Sequence, residues 1–355
     1  MYDNLLSLDL DYILSRTIPI WDELKGQRIF ITGGTGFLGT WILESFAWVN
    51  NKLKLNSEAV VLTRDAASFL KKCPHFTSDK SVQFYEGNIL DFKYPKGNFS
   101  HIIHAATDSN YARVSSWEML ETIIQGTKYT LEFAKNCKVK KFLFISSGAM
   151  YGRQLGVDAI NESNFSQFDA RGVMPSYSIG KFIAEYMSNL YARECQFAIK
   201  IARCFAFFGP YLPLNLHFAI GNFIQNRLNG EPILIKGDGH AFRSYLYISD
   251  LCIWLWTILF QGKDLTAYNV GSNEKYSIFE IATMIANSRA PKVEVRIDNG
   301  TKSSIADNNY IPNISLAKQH LNLEPHINFL SALNMTIDWF RKQSQLNELL
   351  GCVVI

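Results

Sequence analysis

Charge, cysteine and long apolar runs are all scarce in this chain of 355 residues. Only 19% of it is charged, against 48% hydrophobic and 14% aromatic, a balance that excludes a disordered tail protein and suffices for a sizeable core. Neither sign of charge dominates. The 35 basic and 32 acidic residues leave a net +3, too little for a nucleic-acid binder that works by neutralising phosphates. Cysteine occurs six times, at 73, 137, 195, 204, 252 and 352, with no CxxC pair. That spacing is neither a disulfide framework nor a zinc site, and reduced thiols in a cytoplasmic protein are the simpler expectation. His101 and His104 flank one apolar run and share no ligand spacing with the cysteines, so no metal is expected. The N-terminal stretch carries Asp3, Asp9 and Asp11 and lacks a basic region, which is unlike a secretory signal. The most apolar run, 251–260, is half of the roughly 20 residues a bilayer span needs and reads as a buried helix after Asp250. No membrane partner is expected.

What the chain does have is alternation. Short apolar runs at 28–32, 59–63, 82–86, 101–105, 141–146 and 198–202 read as strands, and helix-like stretches such as 116–136 separate most of them. Parallel neighbours need a crossover, so this alternation predicts an α/β fold of the Rossmann type, a doubly wound parallel sheet with right-handed connections. The pattern loosens after Gly209-Pro210. The expected division is an N-terminal leader plus the parallel-sheet domain over 1–208, and a smaller mixed α/β lobe over 209–355. An insert is expected near 152–175, and the run at 268–271 is a candidate to return to the main sheet.

Two constellations carry chemistry. The first is Thr32-Gly33-Gly34-Thr35-Gly36-Phe37-Leu38-Gly39, between the first strand and a helix pattern. Gly33, Gly36 and Gly39 permit a tight turn and let backbone N–H groups approach a pyrophosphate, while the helix start adds partial positive charge. A lone glycine triplet is weak evidence; in this strand–helix setting it predicts a dinucleotide site rather than an ordinary turn. After the second strand stands Thr63-Arg64-Asp65. Arg64 suits the 2′-phosphate of NADP; Asp65 on the ribose of NAD is the other reading. The cofactor expectation is NADP or NAD, with NADP favoured.

The second constellation is the pair Ser146-Ser147 at the end of the fifth strand, followed about 30 residues later by Tyr177-Ser-Ile-Gly-Lys181. Four residues on a helix put Tyr177 and Lys181 on one face. A nearby ammonium stabilises phenolate, so Tyr177 can exchange a proton with a sugar hydroxyl or carbonyl near neutral pH, while serine orients the same oxygen.

These residues resemble the extended short-chain dehydrogenase/reductase family, the NAD(P)-dependent sugar-nucleotide epimerases and dehydratases, over about 27–340. Asn88-Ile89 after Gly87 resembles the segment beside the adenine, with Asn in place of Asp. His104-Ala105-Ala106 resembles the strand end that passes the cofactor, Gly126-Thr127 the GT of the following helix, and Arg203-Cys-Phe-Ala-Phe-Phe-Gly209-Pro210 the RxFNxYGP segment. Gly237-Asp-Gly239 with Arg243 and Asp250 resembles the diphosphate clamp, and Tyr268-Asn-Val-Gly271 the later YNVG strand. The resemblance implies catalytic Ser147, Tyr177 and Lys181. It implies cofactor binding by Gly33, Gly36, Phe37, Leu38, Gly39, Arg64, Asn88, Ile89, Ala105, Ala106, Tyr177 and Lys181, and substrate binding by Ser147 and Arg243. The implied partners are a nucleoside-diphosphate sugar and a second copy of the chain, a homodimer formed through helices of the Rossmann lobe.

Departures from the family sharpen the expectation. Dehydratases of the family carry Asp-Glu directly after the catalytic hydroxyl residue, and the decarboxylases use a Glu at the second position; this chain has Gly148-Ala149. Ala206 and Ile123 stand where asparagines are usual. Elimination therefore lacks an evident acid and base, unless Glu118 or Asp108 supplies a displaced carboxyl group. The expected activity is hydride transfer at C4 of the sugar, as a 4-epimerase or a 4-keto-6-deoxysugar reductase. A dehydratase or decarboxylase is the alternative within the family, and a dinucleotide-binding sensor the alternative outside it.

Overall fold

The computed structural model describes residues 4–107, 114–152, 154, 157–165, 175–216, 218–298 and 309–349. The first six strands are β1 (Arg28–Thr32), β2 (Glu58–Thr63), β3 (Val82–Glu86), β4 (His101–His104), β5 (Lys141–Ser147) and β6 (Ala198–Cys204). Between or before them lie the helices α1 (Ser7–Thr17), α2 (Phe37–Leu53), α3 (Ala66–Lys72), α4 (Ser116–Cys137) and α5 (Ser176–Cys195). The later chain adds β7 (Phe207–Phe208), α6 (Ala219–Asn229), β8 (Ile233–Lys236), β9 (Phe242–Arg243), β10 (Leu246–Tyr247), α7 (Ile248–Gln261), β11 (Thr266–Val270), β12 (Tyr276–Ser277), α8 (Ile278–Asn287), β13 (Val295–Asp298), α9 (Ser315–Leu321) and α10 (Phe329–Leu349).

One seven-stranded parallel sheet runs in the order β11-β6-β5-β4-β1-β2-β3. Its β1 strand pairs with β2 on one side and β4 on the other, so the winding reverses there. In such sheets the carboxyl ends of the strands beside the reversal form the ligand crevice. The YNVG run is indeed in the sheet: β11 pairs with β6, Asn269 opposite Arg203. Three two-stranded pairs, β7 with β10, β9 with β12 and β8 with β13, organise the later chain.

The strands read as continuous apolar runs because both faces of the sheet are covered. Ile29 and Ile31 of β1, with Leu143 and Ile145 of β5, join the core that also takes Trp41 and Phe46 of α2 and the tryptophans of α7. Phe30, Phe142 and Phe144 point the other way, into a second core with Leu131 and Phe133 of α4 and Ala184 of α5. This is the period-two alternation of a strand. Burying each such side chain contributes roughly 1.5–3 kcal/mol relative to exposure. The 251–260 run is the middle of α7, buried throughout from Ile248 to Phe260. The N-terminal stretch is a structural element: Leu10 and Ile13 of α1 enter the first core, and Trp21 packs on Trp256 at 4.5 Å between ring centroids. Among the described residues no helix is long and apolar enough to cross a membrane.

Candidate active site

The β1–α2 turn is shaped by its glycines. Gly33 has φ +72°, and a Cβ there would stand 2.6 Å from the Ala105 carbonyl carbon and 2.7 Å from the Ala106 nitrogen. At Gly39 a Cβ would collide with the Gly33 carbonyl and stand 2.5 Å from the Gly34 Cα. Gly36 differs: its nearest neighbour would be the Gly33 oxygen at 3.5 Å, ordinary contact, and the residue is exposed. It is also the N-cap of α2, and no side chain caps that helix. Close backbone packing at Gly33 and Gly39, with free space and uncapped N–H groups at Gly36, fits a dinucleotide pyrophosphate. Phe37 stacks on Phe207 at 5.5 Å and Leu38 packs against the first core, so these two anchor the turn through their side chains.

Arg64 is exposed at the end of β2. Asp65 serves as N-cap of α3, accepting the Ser68 N–H at 2.8 Å. Asn88 is exposed, and its side chain accepts the Leu90 N–H at 3.2 Å. Ile89 lies over Gly126, where a Cβ would stand 2.9 Å from its Cγ1. Ala105 and Ala106 line the turn, with the Ala106 N–H donated to the Thr32 hydroxyl at 3.2 Å.

At the carboxyl end of β5, Ser147 is 9% exposed, and its Oγ accepts the Ala149 N–H at 3.1 Å. On α5, Tyr177 and Lys181 share a face as expected: the Lys181 ammonium is 1% exposed and 5.8 Å from the Tyr177 ring centroid. Lys181 donates to the Ile145 carbonyl at 2.8 Å. Burial pushes its pKa down to about 8, with the charges of Cys204 and Glu185 opposing that shift. It therefore retains most of its charge at neutral pH, beside the phenol whose ionisation that charge favours. Arg243 of β9 approaches the same place: its backbone bridges to Tyr310, whose hydroxyl would stand 2.8 Å from a Cβ on Gly148, the residue after Ser147. The geometry thus gathers Ser147, Tyr177, Lys181 and Arg243 at one end of the sheet.

Several expectations resolve differently. Glu118 closes a capping box with Ser115 at the start of α4, and those hydrogen bonds lower its pKa. Its carboxylate is engaged at the helix start. Asp108 lies outside the described residues. Burial drives the Cys204 thiol up to about 12, which makes it inert at neutral pH. His104 is bonded to the Thr32 and Thr127 hydroxyls, and burial holds it down to about 3, a neutral structural imidazole. Among the described residues no group of three His, Cys, Asp or Glu side chains is placed to hold a metal.

Sequence reasoning missed a polar network beneath the site. Arg203 forms a buried ion pair with Glu185, at 2.7 Å between Nη2 and Oε2, and donates to the Tyr151 hydroxyl at 2.8 Å. Tyr151 donates to Asn269, and Ser146 is bonded to Glu185. This ties β5, β6, β11 and α5 together one residue away from Ser147. The tertiary partners of Arg203 and Glu185 stand 18 residues apart in sequence, and no local spacing links them. Tyr310 was missed for the same reason.

Residues 29–271 match the NAD dependent epimerase/dehydratase family. A dTDP-D-glucose 4,6-dehydratase of Dictyostelium discoideum is 32% identical over 281 residues, 75% of this chain. The chain spans 63% of that relative's length. A UDP-glucuronic acid decarboxylase of Arabidopsis thaliana is 24% identical over 92% of this chain and 71% of its own. Among solved structures, a variant of the UDP-glucuronic acid 4-epimerase of Bacillus cereus, in complex with a UDP-sugar and NAD, superposes with TM-score 0.75 at 21% identity, covering 89% of this chain and 99% of that one.

Proposed function

The chain belongs to the NAD-dependent epimerase/dehydratase family, and from that premise we propose that it transfers a hydride at C4 of a nucleoside-diphosphate sugar. The product is the 4-epimer or, from a 4-keto-6-deoxy sugar, the reduced sugar. One observation supports this reading: Lys181, beside the Tyr177 ring, donates to the Ile145 carbonyl two residues before Ser147, while the two positions after Ser147 bear no carboxyl group. A Cβ on Gly148 would stand 2.8 Å from the Phe205 ring and 2.8 Å from the Tyr310 hydroxyl, so the space for a carboxylate is already filled.

The glycine turn, Asn88, Ile89, Ala105, Ala106, Tyr177 and Lys181 hold the dinucleotide, and Arg64 favours NADP, since Asp65 is engaged in capping α3. When bound, the nicotinamide supplies the hydride acceptor or donor. The protein's part is proton traffic and positioning. The Lys181 charge favours the phenolate of Tyr177; Tyr177 takes the proton from the C4 hydroxyl, or returns it to a C4 carbonyl oxygen; the Ser147 hydroxyl donates to that oxygen. Arg243 and the segment from 209 onward, the proposed substrate lobe, hold the diphosphate, so that C4 is presented without a separate encounter. A homodimer through α4 and α5 is supported by Trp117 and Tyr186, which are 71% and 61% exposed on these two packed helices. Tyr186→Asp is expected to convert the dimer to a monomer in light scattering.

The names of the two relatives favour a second reading, dehydration or decarboxylation. Incubation with UDP-, dTDP-, CDP- and GDP-sugars and their 4-keto-6-deoxy forms separates these. A new isomer of unchanged mass, or a gain of two hydrogens with loss of NADPH absorbance, supports the proposal; loss of water or carbon dioxide rejects it. Turnover that survives Tyr177→Phe would remove the catalytic assignment, and a wild type that binds dinucleotide yet converts nothing would be a sensor.

A further inference from the structure

Two consecutive residues of β5 are bonded to α5, at points one helical turn apart. Lys181 donates to the Ile145 carbonyl at 2.8 Å, and the Ser146 hydroxyl donates to Oε1 of Glu185. Ser147 is the next residue, where β5 ends. On α5, Tyr177, Lys181 and Glu185 are spaced by four, so they share one face of the helix. Ser146 is 2% exposed and Glu185 4%. The same carboxylate has an anchor on β6. Arg203 stands opposite Ser146 in the strand register. Its Nε lies 3.1 Å and 3.0 Å from the two Glu185 oxygens, and its Nη2 lies 2.7 Å from Oε2. The guanidinium is held in turn through Nη1, which donates to the Tyr151 hydroxyl at 2.8 Å and the Glu162 carbonyl at 3.0 Å. Glu185 cannot swing away from Ser146 without leaving a buried cation unpaired.

We infer that Ser146 and Glu185 are positioning residues of the proposed site: their hydrogen bond fixes the end of β5, which carries Ser147, against the face of α5 that carries Tyr177 and Lys181. A proton relay needs its members held within about 0.5 Å of the productive geometry. The Lys181 bond alone does not hold them so closely, because it is made through a long, flexible side chain and grips β5 two residues before Ser147. The Ser146–Glu185 bond lies one residue from Ser147, on a carboxylate that Arg203 has locked in place. The inference rests on the sugar-nucleotide reading above.

The test compares Ser146→Ala, Ser147→Ala and the double variant on whichever sugar nucleotide the wild type converts. Ser146→Ala removes only the hydroxyl between β5 and α5. Oε1 of Glu185 still accepts the Arg203 Nε–H, so Tm should fall by no more than a few degrees. Loosened geometry is expected to lower kcat about tenfold. KM should stay within about twofold, because no contact with the substrate is removed. The apparent pKa in the pH profile of kcat should stay at the wild-type value, since Tyr177 and Lys181 move together on one helix. In the Ser147→Ala background the same change should cost at most about threefold, since the spacing to Ser147 then no longer matters. A kcat unchanged in Ser146→Ala, whatever its Tm, would overturn the positioning role and leave the proposed function standing. So would a moved apparent pKa, or losses that multiply in full in the double variant. A wild type that converts no sugar nucleotide overturns the proposed function, and this inference with it.

Discussion

The chemistry at the scale of single residues turns on a buried ammonium. Lys181 is enclosed, and the Ile145 carbonyl to which it donates is neutral. Burial therefore depresses its pKa from the ordinary 10.5 to about 8. The sign follows directly: the charged form is disfavoured in the folded protein, so the folding penalty is full below pH 8 and fades as pH rises from about 8 toward 10.5. Lys181→Met should accordingly raise Tm at pH 7, or at least leave it unchanged, while lowering kcat by about 100-fold or more; a clear loss of Tm at pH 7 would contradict the burial account. Tyr177→Phe should lower kcat by about 1000-fold with dinucleotide affinity within a few-fold of wild type, read by quenching of protein fluorescence. The Tyr177–Lys181 pairing was legible in the sequence because a spacing of four is a property of any helix. Ser147 was legible from its position after an apolar strand. The local use of Glu118 was overlooked: a carboxylate three residues after a serine closes a capping box at the start of α4.

Among elements, the β1–α2 turn and the β5–α5 pair place everything else. Gly36 and Gly33 ought to respond differently to a methyl group. Gly33→Ala meets both a left-handed φ of +72° and the Ala105 carbonyl, and should cost stability whether or not dinucleotide is present. Gly36 has open space, so Gly36→Val should leave the Tm of the free protein within a few degrees and weaken dinucleotide binding by at least about tenfold, measured by calorimetry. Equal losses of Tm in the two variants would remove the assignment of Gly36 to the pyrophosphate. The strands themselves were readable from composition, because a sheet covered on both faces makes its strands uniformly apolar. The short pairs β7–β10 and β9–β12 were not, since two-residue strands carry no periodicity to read.

At the scale of the whole molecule, the N-terminal helix is docked through carboxylates. Asp9 of α1 accepts the Tyr247 hydroxyl at 3.0 Å, and Tyr12 donates to Asp250 at 3.1 Å. Asp250 in turn accepts the backbone N–H groups of His326 and Ile327, which anchors the approach to α10. Burial raises Asp9 to about 6, with the Asp250 charge adding to the rise. A raised carboxyl pKa means stability fully present below about 3.8 and lost as pH climbs through about 6. Asp9→Asn should therefore raise Tm at pH 7.5 and give little gain at pH 4.5; a pH-independent effect would show that Asp9 is not the titrating group. The amphipathic pattern of this segment was visible in sequence. That it seals α7 and the start of β10, rather than standing apart as a leader, depends on contacts more than 230 residues away.

The sequence by itself determined the parallel α/β architecture, the dinucleotide turn and the Tyr177–Lys181 couple, because each is encoded within one strand, one turn or one helix, where spacing and side-chain type suffice. Only the tertiary structure decided that Tyr310 reaches Gly148, beside Ser147, that Arg203 pairs with Glu185 near the end of β5, and that the Glu118 carboxylate is bonded to the Ser115 backbone. Those outcomes depend on which distant segments the sheet order brings together, and hydrogen bonds between such segments leave no periodic trace along the chain.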